Sequence, residues 1–406
     1  MHNRSLSLRC LQLIFLFVVC PILSFPFLIY YASHGKRWAY TLLAIFMGLC
    51  AVLWPPTGDL YRHNMMYFEF KEMDLVQFSD FIKLKFDFLL YVISFLFAKI
   101  GIPFEFIRFG FVFITYKLVF ILLEDCSCRN FRINQSKSIV FFIFFFSVLF
   151  FTIVQGLRFG FAATLMAFGS YQYMVRKKRN GFLYIFASCV THFSVIPIAL
   201  FWFIANLGIK IKRFWVITLS VICLLCLNSI VFQMIIDALP LDATLHAVLS
   251  AYITGYWGGE FLEDHSLKYQ ISKYLSHLMM YPLLYFTIKN NSVQSFAQFA
   301  KFLIIVACAC FAISDTLYFR VAILFITIGL ASFFMDGKQY SQVKIYILLL
   351  CSSISFFSQI YTFRREATIS REYMLFYPAS IGFSSTFSRQ WIEQHVYEDG
   401  AGKGLY

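Results

Sequence analysis

Charge is what this sequence has least of. Only 14% of its 406 residues are Asp, Glu, Lys or Arg, against 60% hydrophobic, whereas a soluble globular chain carries about a quarter charged and about half apolar residues. That scarcity excludes an ordinary water-soluble fold. No polar stretch is long enough to build a core of its own, so residues 1–406 read as a single polytopic transmembrane domain. Nucleotide and zinc signatures are missing as well. Without a Walker A loop, a dinucleotide glycine fingerprint or a His-Glu-x-x-His motif, ATP-driven transporters, nicotinamide enzymes and zincins fall away. Heptads, solenoid periods and low-complexity tracts are also lacking. The Cys pairs Cys223/Cys226 and Cys308/Cys310 lie inside apolar runs with no neighbouring His. They read as small packing residues, and neither a metal nor a cofactor is expected.

Acidic residues are scarcer than basic ones, 21 against 34, for a net charge of +13. In a soluble protein that balance would raise the question of nucleic acid. Here the basic residues stand in short runs between apolar segments, the pattern of cytoplasmic loops and anionic headgroups, so the expected partner is the lipid bilayer.

Apolar runs place about twelve segments, in an expected range of 11–13, near 11–31, 38–54, 86–100, 104–123, 139–154, 159–175, 182–205, 215–236, 271–288, 302–313, 317–335 and 343–361. The fold class is therefore all-α, an integral membrane helix bundle. The first run contains Pro21 and Pro26, lacks a small-x-small cleavage site, and reads as a transmembrane helix and not as a signal. Arg176-Lys177-Lys178-Arg179, the run Lys210, Lys212 and Arg213, and the run 338–344 mark the inside. The acidic, aromatic stretch 237–270 marks the outside, with 55–85 as a second outer loop and 362–406 as a polar tail. If both basic runs from 176 to 213 are inside, the segment between them must enter and return, broken around His192-Phe-Ser-Val-Ile-Pro197. A break at membrane depth is tolerated only where protein buries it or water reaches it. If 55–85 and Arg158 are both outside, one intervening segment cannot cross, and the short 86–100 is the candidate.

An ionisable group in a membrane segment costs ~2.5 to 3.5 kcal/mol on insertion scales, so each requires a partner, a cavity or a route to the interface. Arg158 and Arg320 each stand near an expected outer helix end. Snorkelling to headgroups would explain one of them. Two at the same end, beside an acidic aromatic loop, favour an anion site, since a guanidinium offers a planar fork for phosphate oxygens. His192 reads as a proton acceptor or an orienter of a hydroxyl, the alternative being a neutral ring bonded to a helix carbonyl. The stretch 58–67 packs Asp59, Arg62, His63 and two Tyr together; its alternative is an interfacial amphipathic helix. The stretch 252–265, with Tyr256, Trp257, Glu260, Glu263, Asp264 and His265, has the aromatic and carboxylate chemistry that stacks sugars and manages protons, though an aromatic belt has the same composition.

Three patches, taken in order, carry a resemblance: Asp59-Leu-Tyr-Arg-His63 with Tyr67; Arg158-Phe-Gly-Phe-Ala162 opening a helix that ends in Arg-Lys-Lys-Arg; and Ala187 followed by His192-Phe-Ser194. Together they resemble the EpsG-like branch of Wzy-type polysaccharide polymerases, bacterial inner-membrane enzymes that join lipid-linked O-antigen or capsule repeat units. The chain departs from that pattern at Phe159, where the family often has Gln, and carries Gln155 before the Arg instead. The resemblance implies glycosyl transfer in the periplasmic leaflet between two undecaprenyl-pyrophosphate-linked oligosaccharides, without metal or nucleotide sugar. By analogy it implies a GT-C-like architecture. Arg158 and Arg320 would bind pyrophosphate, Asp59 or His192 would be the base, and Arg62 with Tyr256, Trp257, Glu260 and His265 would hold sugar. A chain-length regulator and a flippase are the implied protein partners. Two rival readings stand beside it. A lipid-linked oligosaccharide flippase would carry charge through the depth of the bundle and repeated halves; a membrane acyltransferase would place a His with an acidic or Arg partner near the inner face.

Overall fold

The computed structural model describes residues 2–83, 85–129, 137–240, 243–255, 266–290, 292, 294–335 and 341–396. Its helices are α1 (His2–Val19), α2 (Pro21–Ser33), α3 (Arg37–Leu53), α4 (Asp59–Glu72), α5 (Leu75–Lys83), α6 (Leu89–Ile100), α7 (Phe104–Arg129), α8 (Lys137–Ser147), α9 (Phe150–Gln155), α10 (Leu157–Met174), α11 (Gly181–Thr191) and α12 (Ile196–Asn206). They continue as α13 (Arg213–Cys226), α14 (Ser229–Ala238), α15 (Ala243–Ile253), α16 (Leu267–Leu275), α17 (Met280–Lys289), α18 (Ser295–Ile313), α19 (Asp315–Met335), α20 (Gln342–Thr362), α21 (Arg364–Thr368), α22 (Ala379–Ser384) and α23 (Arg389–His395). The reason is chemical: in hydrocarbon every backbone N–H and C=O must be satisfied within the protein, and a helix does so within one segment.

Among the described residues, four helices are long and apolar enough to cross a membrane: 104–127 of α7, and α18, α19 and α20. The pair α13 and α14, bent by 87° at Leu227-Asn228, makes a fifth if it counts as one span. Other apolar runs are divided more finely than their composition predicts. The run 11–31 breaks at Cys20, which is extended (φ −154°), and Pro21 restarts the helix, because proline lacks the N–H that would continue the ladder and suits a first turn. The run 139–154 breaks after Ser147, whose hydroxyl donates back to the Ile143 carbonyl at 2.6 Å.

The helix ends sort into two sets. At one end Arg37 pairs with Glu124, Arg176 with Asp125, and the Tyr171 hydroxyl donates to Asp125 at 2.8 Å. The start of α18 joins them there, with Phe296 against Tyr171 and Gln298 accepting from the Ile211 N–H. The basic runs 176–179 and 210–213 therefore leave the bundle at the same end, as the entry-and-return reading requires. Helices α10 and α11 form a tight hairpin: a Cβ on Gly169 would lie 2.8 Å from the Gly181 carbonyl oxygen, and one on Gly181 2.6 Å from that of Gly169. The return is made at His192, extended at φ −152°, ψ 120°, followed by a 3-10 turn over Phe193–Val195 and by Pro197 in the first turn of α12.

The opposite end is built around Arg108. This fully buried guanidinium donates to the carbonyls of Trp54 at 2.7 Å and Val52 at 3.1 Å, and Glu105 lies 3.5 Å away. Glu105 in turn accepts from the Phe387 N–H at 2.8 Å, and the Arg371 N–H donates to the Leu53 carbonyl. These bonds fold the C-terminal segment back over α4, where Phe387, Ile392 and Val396 pack with Tyr61 and Met65. The expected outer loop 55–85 and the described part of the polar tail, 362–396, are thus largely short helices covering one another. Helix α6 begins beside α4 and ends with Tyr67 donating to the Ile102 carbonyl at 2.6 Å. It stays at this end, as predicted for the short 86–100 run. Replacing Arg108 by Leu strands two carbonyls and a buried carboxylate, and should cost ~3 to 5 kcal/mol. Thermal unfolding of the purified protein in detergent measures this; an unchanged midpoint would contradict the anchoring role.

Candidate functional site

Gly58 starts the site. Its φ of +59° and ψ of −133° belong to a region that a side chain rarely tolerates. The turn it permits sets Asp59 in the first turn of α4, where the helix dipole favours a carboxylate. The buried face of α4 then reads Leu60, His63, Asn64, Tyr67 and Phe70, helical spacing that carries His63 and Asn64 inward. His63 lies edge-on to the Tyr91 ring, with centroids 6.2 Å apart.

Arg158 enters from the start of α10. Its Nη1 donates to Asp87 Oδ2 and to the Tyr91 hydroxyl, both at 2.9 Å, and its guanidinium lies 5.4 Å from the Tyr91 ring centroid. One nitrogen is thereby anchored, while Nε is buried without a partner. Arg320, in the second turn of α19, donates from Nη2 to the Tyr252 hydroxyl at 3.0 Å. It packs over the rings of Tyr252 and Phe159, 4.5 and 5.8 Å from their centroids. Phe159 also meets His192 edge-on at 5.4 Å, so this one ring spaces the Arg320 cation from the imidazole. His192 is buried; its Nδ1 accepts the Ser194 N–H at 3.2 Å and lies 2.8 Å from Ser194 Oγ.

Asp59 sits in the joint field of these groups. Burial alone would raise its pKa, but His63, Arg158, Arg320 and Arg62 outweigh burial and hold the carboxyl below the usual range. The His63 imidazole is also held down, to about 3, but here burial is the first cause and Arg158 the next, against the opposing pull of Asp59, so the ring stays neutral. Four polar atoms here, His63 Nε2, Asn64 Nδ2, Arg158 Nε and Arg320 Nη1, are buried with no hydrogen-bond partner among the described residues. Eleven more such atoms are spread through the rest of the described residues, so what distinguishes these four is that they share the surroundings of one carboxylate and two guanidinium groups.

Of the residues singled out in the sequence, Asp59, Arg62, Arg158, His192 and Arg320 are brought to one end of the bundle, with Arg62 on the exposed side of α4. Tyr256, Trp257, Glu260 and His265 lie outside the described residues. Asp87 and Tyr91 are not singled out by the sequence, and Tyr252 and His63 enter only as members of the stretches 252–265 and 58–67. Asp87 had a signal, since an acid at the head of an apolar run implies a partner. Tyr91 had none, being indistinguishable by composition from an interfacial aromatic. Among the described residues, no group of three His, Cys, Asp or Glu side chains is arranged to hold a metal.

The arrangement can bind a polyanion at two arginines, keep a carboxylate ionised beside it, and offer two imidazoles within the same field. No curated protein and no solved structure matches the chain. A family model described as the EpsG family matches residues 36–378, a stretch that includes every member of this cluster. The chain belongs to the EpsG family.

Proposed function

We propose that this protein is a polysaccharide polymerase of the bacterial inner membrane, joining undecaprenyl-pyrophosphate-linked repeat units of an O-antigen or capsule at the periplasmic face. Family membership supports a membrane glycosyltransferase- or polymerase-like role in general. The observation that carries the finer reading is the convergence of Arg158 and Arg320 on Asp59 and two buried imidazoles, at the end opposite the basic runs. The flippase alternative expects charge distributed through the depth of the bundle, and the acyltransferase alternative expects its His near the basic end.

In the proposed reaction the bond from the donor sugar's anomeric carbon to the diphosphate oxygen breaks, and its electron pair leaves with the diphosphate. The acceptor hydroxyl oxygen bonds that carbon, and its proton passes to a base. Arg158, anchored through Nη1, presents its Nε edge to the leaving group, and Arg320 adds Nη1; both stabilise charge as it develops. His192 is suited to donate, because an Nδ1 that accepts from Ser194 leaves the proton of the neutral ring on Nε2. His63 is suited to accept, since in the Nδ1–H form its Nε2 lone pair is free. Asp59, one turn earlier on α4, stabilises the imidazolium that results. Diphosphate bound at Arg158 would offset the repulsion that disfavours this imidazolium, so the base gains strength when the donor is in position.

Deletion of the gene should leave single repeat units on the surface glycan. Loss of the units altogether would favour a flippase, and an intact ladder an acyltransferase. The orientation has its own test: in a functional Cys-depleted background, a membrane-impermeant thiol reagent should reach Tyr256→Cys from outside and not Lys178→Cys. Labelling at 178 from outside would overturn the periplasmic assignment.

A further inference from the structure

Helices α16 and α20 cross through small hydroxyl residues at the site end of the bundle, where Ser272 Oγ donates to the Ser358 carbonyl at 2.9 Å and lies 2.6 Å from Thr362 Oγ1. Beside this crossing runs a trough of about 530 Å³. Its walls are Ile271 and Leu275 from α16 and Ile354, Phe357 and Tyr361 from α20, with Lys268 at one end. The helices run antiparallel, since Ser272 meets Thr362 while the Met279 N–H meets Ser355. Lys268, a turn before Ser272, therefore belongs to the outer mouth near Tyr361, and the apolar walls lead from there toward the middle of the bundle. A second cation stands at that mouth. Arg364 donates to the Tyr361 carbonyl at 2.7 Å, and its guanidinium lies 4.0 Å from the centroid of the Tyr361 ring.

An apolar trough with two cations at its mouth is complementary to an amphiphile with an anionic head and a long hydrocarbon tail. What commits it to one occupant is the polar line behind it. Two residues past Arg364, Glu366 lies beside the Gln155 amide, Gln155 donates to Thr57 Oγ1 at 3.2 Å, and Thr57 leads through Gly58 into Asp59. The mouth of the trough is thus joined to the arginine cluster through a short polar path. We propose that the trough holds the polyprenyl chain of the lipid-linked donor, whose diphosphate passes Lys268 and Arg364 to reach Arg158 and Arg320. This rests on the polymerase reading above and adds to it a location for the lipid. It also gives Gln155, which precedes Arg158 in this chain, a place on the wall between lipid and site.

The test uses the full-length protein in nanodiscs of phosphatidylethanolamine and phosphatidylglycerol, with a benzophenone-tailed prenyl diphosphate as photoprobe. Adducts should map to peptides covering 267–275 and 342–362, and excess undecaprenyl pyrophosphate should suppress them. The double variant Lys268→Glu, Arg364→Glu, whose side chains are exposed at the mouth, should label at least about thirtyfold more weakly, as expected for two phosphate-facing cations near a membrane surface. Adducts confined to other helices, or suppressed equally well by added phosphatidylglycerol, would overturn the proposal and make the trough an ordinary lipid contact. Polymer of wild-type length from the double variant would also count against the trough while leaving the polymerase reading intact. The expected labelling in a protein that makes no polymer from lipid-linked repeat units would uphold the trough and remove the polymerase reading.

Discussion

Arg158→Ala should abolish chain elongation, lowering the rate by about a hundred- to a thousand-fold, the scale of losing one donor aimed at developing charge. The substitution also strands Asp87, which is only 7% exposed and pairs with Arg158 at 2.9 Å. An unpaired carboxylate there should cost a further ~3 to 5 kcal/mol of stability. These effects separate in the double variant Arg158→Ala, Asp87→Asn, which should recover protein level without recovering polymer. Arg158→Lys should fail nearly as badly as Ala. An ammonium can reach Asp87 and Tyr91 but has no second edge for diphosphate oxygens. Full-length glycan from the Lys variant at comparable protein level would make Arg158 an ion-pair anchor and move the anion site elsewhere.

The second large effect is expected at His63. His63→Gln keeps a polar side chain of similar reach on the buried face of α4, but Gln cannot accept a proton near neutral pH, and the rate should fall about a hundred- to ten-thousand-fold. His192→Gln should lose less, because a glutamine carbonyl can still accept the Ser194 N–H that now reaches Nδ1 and its amide can still donate. Chain-length profiles of the two variants at matched protein level decide the matter. The reverse order, with His192→Gln the more damaging, would return the base role to His192 and reduce His63 to packing.

Much of the site was readable because membrane segments tolerate few ionisable residues. Arg158, His192 and Arg320 each stand out against an apolar background, and the placement of both basic runs on one side already requires a turn near His192. The bends were less readable. Hydropathy reports the length of an apolar run but not an interruption such as that at Cys20-Pro21, or the 87° bend at Leu227-Asn228. Nor could composition foresee that the polar segments 55–85 and 362–396 would close over each other. That closure depends on Arg108 reaching the carbonyls at the end of α3, and on Glu105 capturing the Phe387 N–H 282 residues later in the chain. The partners of the arginines were hidden for a related reason. Asp87, Tyr91 and Tyr252 come from two other parts of the chain and meet Arg158 and Arg320 only once α6 and α15 are packed.

The central claim is that sugar transfer at this end of the bundle is driven by departure of a lipid diphosphate held by arginines. Its most direct test supplies purified protein in nanodiscs with undecaprenyl-pyrophosphate-linked repeat units and no nucleotide sugar, and measures polymer and free undecaprenyl pyrophosphate together. One lipid diphosphate should be released for each new linkage in the wild type, with both products lost in Arg158→Ala. Polymer that required a nucleotide sugar, or that formed without release of the lipid diphosphate, would contradict the account.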